Sequence, residues 1–207
     1  KAADIGVGMG ITGTDVTKNV ADMILADDNF ATIVSAVEEG RKIYANIRKA
    51  IQFLFSSNLS EVLGVFLATL LGFTLLKPAH ILWINLITDS FPALALGMER
   101  GEPDAMKKRP RDAKAGLFSG GVGIDVLYQG VFVTILILAA YFIGHRMEAG
   151  VWEITNSPDG MTMAFLTMSM AEIFQSFNMR SRRGSIFKLE GQNIWLWCGA
   201  ALALILT

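Results

Sequence analysis

The sequence predicts a multi-pass α-helical membrane bundle preceded at its N-terminus by a short α/β piece. Three observations lead there. Hydrophobic residues make up 52% of the 207 residues and charged residues only 18%, more apolar than a soluble core of this length needs. Several apolar stretches approach the ~20 residues that cross a bilayer. Lys and Arg concentrate in alternate connections between them, as the positive-inside rule requires.

Residues 1–30 carry an apolar piece at Ile5 to Met9, glycine turns, an amphipathic stretch at Asp15 to Asp22 and a second apolar piece at Met23 to Ala26. This reads as strand, helix, strand. No basic, apolar and small-residue leader opens the chain, so its start reads as the middle of a domain. From Phe30 to Leu71 there is no proline, only Gly40 and Gly64 interrupt, and Ile43, Ile47 and Ile51 recur at i, i+4, which predicts one very long helix over 30–71. At 1.5 Å per residue it would measure roughly 60 Å, about twice the ~30 Å hydrocarbon core. Its charged half, Glu38 to Lys49, should therefore stand outside the membrane.

Further helices are expected at about 80–98, 126–144, 161–178 and 193–207, the last shorter than a full span. The connection Glu99 to Gly120 carries Arg100, Lys107, Lys108, Arg109, Arg111 and Lys114, and Met179 to Gly191 carries Arg180, Arg182, Arg183 and Lys188. Both are expected in the cytoplasm together with residues 1–50, and the poorer connections Phe73 to Ala79 and His145 to Gly160 on the opposite side. The balance of 18 basic against 19 acidic side chains, net charge -1, excludes a nucleic-acid binder. The lone Cys198 cannot make an internal disulfide and reads as a packing residue.

Three acids fall within the apolar segments: Glu61, Asp89 and Glu172. An ionisable group at the membrane centre costs about 2.5–3.5 kcal/mol on insertion scales, which makes each a candidate functional residue. Asn58 and Glu61 are spaced i, i+3; Asn85, Thr88 and Asp89 are spaced i, i+3, i+4; Glu172 and Gln175 are spaced i, i+3, so each set shares a helix face. Pro92 predicts a broken helix with exposed carbonyls. Such oxygens suit a hard cation such as Ca²⁺, which takes about six to eight oxygen ligands, and the absence of His or Cys from the set disfavours zinc and copper. A monovalent ion or a proton relay would use similar residues, and the single amides also serve as helix-helix hydrogen bonders.

Weaker signals have ordinary readings. Gly8 to Gly13 matches G-x-G-x-x-G, but without a full βαβ unit it reads as a turn. Asp27, Asp28 and Asn29 read as helix capping. His80 and His145 read as interfacial, Met161, Met163, Met168 and Met170 as packing residues, and Lys107 to Lys114 as a topology-setting loop.

Taken together, Ala3-Asp4-Ile5-Gly6-Val7-Gly8-Met9-Gly10, Val20-Ala21-Asp22-Met23-Ile24-Leu25-Ala26-Asp27-Asp28-Asn29-Phe30 and Val37-Glu38-Glu39-Gly40-Arg41 resemble the end of the phosphorylation domain of P-type ATPases. Ser57-Asn58-Leu59-Ser60-Glu61-Val62 and Leu82-Trp83-Ile84-Asn85-Leu86-Ile87-Thr88-Asp89 resemble the fifth and sixth membrane helices of calcium pumps. The resemblance runs nearly end to end. It implies that residues 1–37 are the tail of a haloacid-dehalogenase-like phosphorylation domain and that 38–207 belong to the transmembrane domain. By matching position, it also implies that Asn58, Glu61, Asn85, Thr88, Asp89 and Glu172 are Ca²⁺ ligands. Sodium-potassium pumps resemble the chain less, having Asp where Asn85 stands, and the acid at Glu61 favours a two-site region.

The family's phosphorylated Asp-Lys-Thr-Gly-Thr and its Thr-Gly-Asp-Gly-Val-Asn-Asp do not occur in the sequence. The resemblance therefore implies an N-terminal portion of the same pump as partner, with ATP and Mg²⁺ bound mainly there, and a 207-residue segment inactive by itself. It implies Ca²⁺ export from the cytoplasm through an aspartyl-phosphate cycle, with proton counter-transport and the long helix as the coupling rod. The sequence points to the lipid bilayer as surroundings and identifies no regulatory subunit. Its rivals are a pump for Na⁺, K⁺, H⁺ or Mn²⁺, and a non-enzymatic helical membrane protein.

Overall fold

A computed structural model describes residues 4–101, 104–110, 112, 114–181 and 191–207. Arg111, Arg182, Arg183 and Lys188, four of the topology-setting cations, lie outside the described residues, as does Ala3 of the phosphorylation-domain motifs. The chain divides into two compact units, residues 1–44 with 101–109, and residues 45–100 with 110–207.

In the first unit, β1 (Val7–Met9) and β2 (Met23–Leu25) pair in parallel, Gly8 opposite Ile24. The connecting α1 (Asp15–Val20) starts where Thr14 Oγ1 accepts from the Thr17 amide at 3.3 Å, satisfying one of the donors that a helix start leaves open. Of the Gly8 to Gly13 segment, Gly8 and Met9 belong to β1 and residues 10–13 form a bend held by Asp28. The Ile11 and Thr12 amides donate to its carboxylate at 2.8 and 2.7 Å, and the Thr12 hydroxyl at 2.6 Å. The amides that a bound phosphate would use are thus engaged by the chain's own acid. Asp28 therefore departs from the capping role read from sequence. Asp27 and Asn29 fill that role, accepting from the Thr32 hydroxyl (2.6 Å) and the Ala31 amide (3.0 Å) at the start of α2. Within the same unit the Arg41 guanidinium donates to the carbonyls of Ala105 (3.0 Å) and Lys108 (2.9 Å), fastening the basic loop to the first turns of α2.

Helix α2 (Ala31–Leu71) is a single element of 41 residues. The second unit is built from its later part and from α3 (Pro78–Trp83), a wide π-helical turn (Ile84–Asp89), α4 (Ser90–Gly97), α5 (Val122–Ala149), α6 (Pro158–Asn178) and α7 (Ile194–Leu206). Local chemistry marks the ends. The Ser157 hydroxyl caps α6 with Pro158 at its first position, Asn193 caps α7, and Gly150 closes α5 at φ 75°, where a side chain would be strained.

Three segments, Ala31–Leu71, Pro78–Gly97 and Val122–Ala149, are long and apolar enough to cross a membrane. Helix α6 is not among them, although the sequence suggested a near-spanning stretch there. Its interior carries Thr162, Thr167, Ser169, Glu172, Gln175 and Ser176, several of them buried. The outward face of α5, by contrast, is apolar: Ile124, Leu127, Tyr128 and Phe132 are all more than half exposed, a surface suited to hydrocarbon. Cys198 is also exposed, on the helix face opposite the buried Leu196, Gly199 and Ala203 side, rather than packed as expected.

One core joins the end of α2 to α5 and α6 through Ala68, Phe73, Leu75, Ile137, Tyr141 and Met168. The helices pack closely where glycine allows. A Cβ on Gly144 would sit 2.9 Å from the Asp159 carbonyl and 3.0 Å from Gly160 Cα, so α5 and α6 touch backbone to backbone. His145, beside it, is buried with neither ring nitrogen hydrogen-bonded.

A buried carboxylate cluster between four helical segments

Helix α2 is inverted relative to a helix of a water-soluble protein. Gln52, Ser56, Ser57, Ser60 and Glu61 face the interior, while Phe55, Val62, Phe66 and Leu70 face outward. The polar residues recur at helical spacing, so they form a stripe on one side. That stripe meets the π-helical turn and α6.

Glu172 of α6 and Asp89 of the wide turn are 0% and 1% exposed. The Ser57 hydroxyl stands between them, 3.0 Å from Asp89 Oδ1 and 2.5 Å from Glu172 Oε1. Thr88 Oγ1 lies 2.5 Å from Glu172 Oε2 and 2.9 Å from the Ile84 carbonyl. Glu61, one turn from Ser57 on α2, accepts from Asn85 Nδ2 at 3.0 Å on both carboxylate oxygens. Thus Glu61 and Asn85 form one pair, and Thr88, Asp89 and Glu172 a second group bridged by Ser57.

Asn58 does not join them. It is exposed, and its amide donates to the Leu54 carbonyl of its own helix at 2.8 Å. The interior line of α2 runs through Ser57, Glu61 and Gly64, and Asn58, one residue off that line, is rotated by about 100°. Among the described residues, no group of three or more His, Cys, Asp and Glu side chains lies close enough to hold a metal ion. A cation here would have to draw on amide and hydroxyl oxygens as well as carboxylates, which is the donor set of a hard cation. A buried acceptor is available in the second group: Asp89 Oδ2 has no hydrogen-bond partner. Leaving such a group unmatched costs about 1–3 kcal/mol, a cost that a ligand would offset.

The wide turn replaces the break expected at Pro92. A proline ring clashes with the carbonyl four residues earlier, here Thr88, and widening Ile84–Asp89 relieves the clash without unwinding the helix. The Ser90 hydroxyl donates to the Asn85 carbonyl at 2.7 Å, engaging an acceptor inside that turn.

Ser57 was not singled out from the sequence, although it stands four residues before Glu61, the spacing that shares a face. A second polar layer was missed as well. Gln129 Oε1 of α5 accepts from Gln52 (3.3 Å) and Gln175 (3.4 Å), and Gln175 also donates to the Ser56 hydroxyl at 2.6 Å. The signal available was Gln129 itself, an amide within an apolar run.

Residues 73–207 match the family described as "Cation transporting ATPase, C-terminus". The chain belongs to the cation-transporting ATPases. Relatives agree: the chain is 49% identical over 200 residues to "Calcium-transporting ATPase 1" of Bacillus cereus, covering 91% of this chain and 22% of that protein. It is 44% identical over 207 residues to "Calcium-transporting ATPase" of Bacillus subtilis, covering 100% and 23%. A plant protein, "Calcium-transporting ATPase 2, endoplasmic reticulum-type" of Arabidopsis thaliana, is 44% identical over 168 residues, covering 81% and 16%. The chain therefore spans less than a quarter of the length of these ATPases. As a family member with three segments able to cross a membrane, it is a multi-pass membrane protein.

Proposed function

We propose that this chain forms part of an ATP-driven pump that moves Ca²⁺ out of the cytoplasm through an aspartyl-phosphate cycle. In this reading Glu61, Asn85, Thr88, Asp89 and Glu172 ligate the transported ion, and Asn58 joins them when a neighbouring part of the longer protein closes over α2. Residues 38–207 serve as transmembrane domain, and residues 1–37 as the tail of a haloacid-dehalogenase-like phosphorylation domain, with the N-terminal side in the cytoplasm. ATP and Mg²⁺ are bound mainly outside this segment.

The observation that carries the reading is the burial of Asp89 and Glu172 about one hydroxyl, with Glu61 and Asn85 paired one turn along α2 and amide and hydroxyl oxygens beside them, inside a bundle whose outer surface is apolar. The calcium-transporting relatives support the choice of ion.

Proton inventory supports counter-transport. Ser57 and Thr88 each have one hydroxyl hydrogen, yet together they make four short contacts to acceptor oxygens: Asp89, Glu172 twice, and the Ile84 carbonyl. Protons on the carboxyls of Asp89 and Glu172 would supply the two missing hydrogens. Binding of Ca²⁺ would expel them, and its release would take them back.

Coupling arises from α2, which carries both Ser57 and Glu61. A tilt of this helix would move them against Asn85, Asp89 and Glu172, changing affinity and access together.

The test is acid-stable phosphoenzyme formation from ATP by the full-length protein, with Ca²⁺ added or chelated and Na⁺ as control. Phosphoenzyme that requires Ca²⁺ is the expected result. Phosphoenzyme indifferent to Ca²⁺ would assign the site to another cation, and none under any condition would remove the pump reading.

A further inference from the structure

We infer that Glu99 and Arg180 form a positioning clamp that fixes the spacing between the carboxylates of Asp89 and Glu172; the inference rests on the cation-binding role proposed above.

Glu99 lies just past the end of α4, the helix that continues from Asp89. Arg180 lies just past the end of α6, the helix that carries Glu172. The guanidinium grips the carboxylate with two parallel bonds, Nε to Oε2 and Nη2 to Oε1, both 3.1 Å, and each side chain is only 7% exposed. The pair is not isolated. Arg180 Nη2 also donates to the Gly191 carbonyl at 2.9 Å. Asn193 Nδ2 donates to Glu99 Oε2 (2.8 Å) and to the Ala95 carbonyl (2.9 Å), while its own carbonyl oxygen caps α7 through the Leu196 amide at 3.1 Å. One buried carboxylate thus gathers the C-terminal ends of α4 and α6 and the N-terminal end of α7.

Stability alone does not explain such a pair. Well-packed apolar side chains of similar volume hold helices together as well as a buried ion pair does, because desolvation offsets most of the Coulombic gain. What the pair supplies is geometry: the planar fork allows one relative orientation of the two groups, which apolar packing and a lysine ammonium do not enforce. The same helices meet again at the site, where Thr88 approaches Glu172. With both tie points made, the separation and rotation of α4 and α6 are set, and opening the clamp releases one of them.

Helix α2 is held to this group differently. Asn46 Nδ2 donates to the carbonyls of Glu99 (2.6 Å) and Gly97 (3.4 Å), neutral bonds to backbone only, weaker than the charged fork. The charged fork thus ties the ends of α4, α6 and α7, while α2 joins them at this end through Asn46 and at the site through Ser57.

The experiment measures phosphoenzyme from ATP in the full-length protein against free Ca²⁺, recording the half-saturating concentration and the maximum separately. Glu99→Gln keeps shape and removes the charge; Arg180→Lys keeps the charge and removes the fork. The expected result is a rise in half-saturating Ca²⁺ of roughly two- to thirtyfold for both Glu99→Gln and Arg180→Lys, with an unchanged maximum per inserted protein. If Glu99→Gln does not accumulate, Arg180→Lys decides. Lower maxima at unchanged half-saturation would show a purely structural pair and overturn the inference, as would unchanged values throughout. Wild-type protein with no Ca²⁺ dependence would overturn the pump reading and the clamp with it, whereas normal wild-type behaviour with unresponsive variants overturns the clamp alone.

Discussion

The Ser57 hydroxyl lies 2.5 Å from the Glu172 carboxyl, joining α2 to α6 at a point from which water is excluded. Because the same hydroxyl reaches Asp89, it links the two acids of the empty site. This contact serves the empty site, since carboxylates that ligate a cation no longer need it. Ser57→Ala should therefore destabilise the Ca²⁺-free protein by about 1–3 kcal/mol and the Ca²⁺-loaded protein less. Thermal unfolding in detergent with chelator and with saturating Ca²⁺ checks this. An equal loss in both conditions would show that Ser57 is only a packing residue.

Two glycines of α5 should respond differently to the same change. At Gly144 an added methyl meets backbone of α6 at 2.9 and 3.0 Å, whereas at Gly130 it meets the Leu59 side chain at 2.8–3.0 Å. Backbone cannot swing aside and a leucine can. Gly144→Ala is expected to cost about 1–3 kcal/mol and Gly130→Ala less. Unfolding midpoints of the two variants, compared side by side, decide; the reverse order would contradict the backbone contact.

In the first unit, the Ile11 and Thr12 amides and the Thr12 hydroxyl hold the Asp28 carboxyl well below its ordinary range, at about 2. A depressed acid stabilises the fold above its unfolded value, near 3.8, and that contribution is lost as pH falls through about 2. Protection of the Ile11 and Thr12 amides from hydrogen exchange, relative to intrinsic rates, should hold at neutral pH and fall only in that acid window. Loss of protection already near pH 5 would contradict the assignment.

If α2 transmits force to Ser57 and Glu61, a flexible joint in it should disconnect ion movement from ATP hydrolysis. Inserting two glycines after Ile47 costs about 1 kcal/mol of helix stability for each and rotates the remainder of the helix by about 200°. The expected outcome is phosphoenzyme formation with Ca²⁺ transport lost, measured as ⁴⁵Ca uptake per ATP hydrolysed in sealed vesicles. Uptake with unchanged stoichiometry would rule out the rigid-rod account.

Long-range periodicity made much of this architecture readable. A proline-free stretch with isoleucines four residues apart announced the helix over Ala31–Leu71, and the short apolar runs near the N-terminus announced the two strands. Asp89 and Glu172 stood out because acids in apolar segments are costly. What the sequence hid was orientation. Asn58 and Glu61 share an i, i+3 spacing, yet only Glu61 falls on the buried line, because Ser57 and Gly64 rather than Asn58 define where α2 is approached. For Ser57 the signal was only its i, i+4 spacing to Glu61; its role comes from what the other helices bring to it. Pro92 signalled a disturbance, but its effect appears one turn earlier, where the backbone could widen. The Glu99 and Arg180 pair was legible only as two loop charges, since the chain that brings them together runs through α5 and α6.

The wide turn also changes how side chains can be counted. On an α-helix, consecutive residues point about 100° apart, and a turn that takes in an extra residue brings neighbours closer in direction. By taking an extra residue into one turn, Ile84–Asp89 presents Thr88 and Asp89, neighbours in the chain, to the same interior, one toward Glu172 and the other toward Ser57. Deleting a single residue there would restore ordinary helical pitch while turning one of the two away. Chain length across these six positions is therefore as much a part of the site as the identity of its side chains.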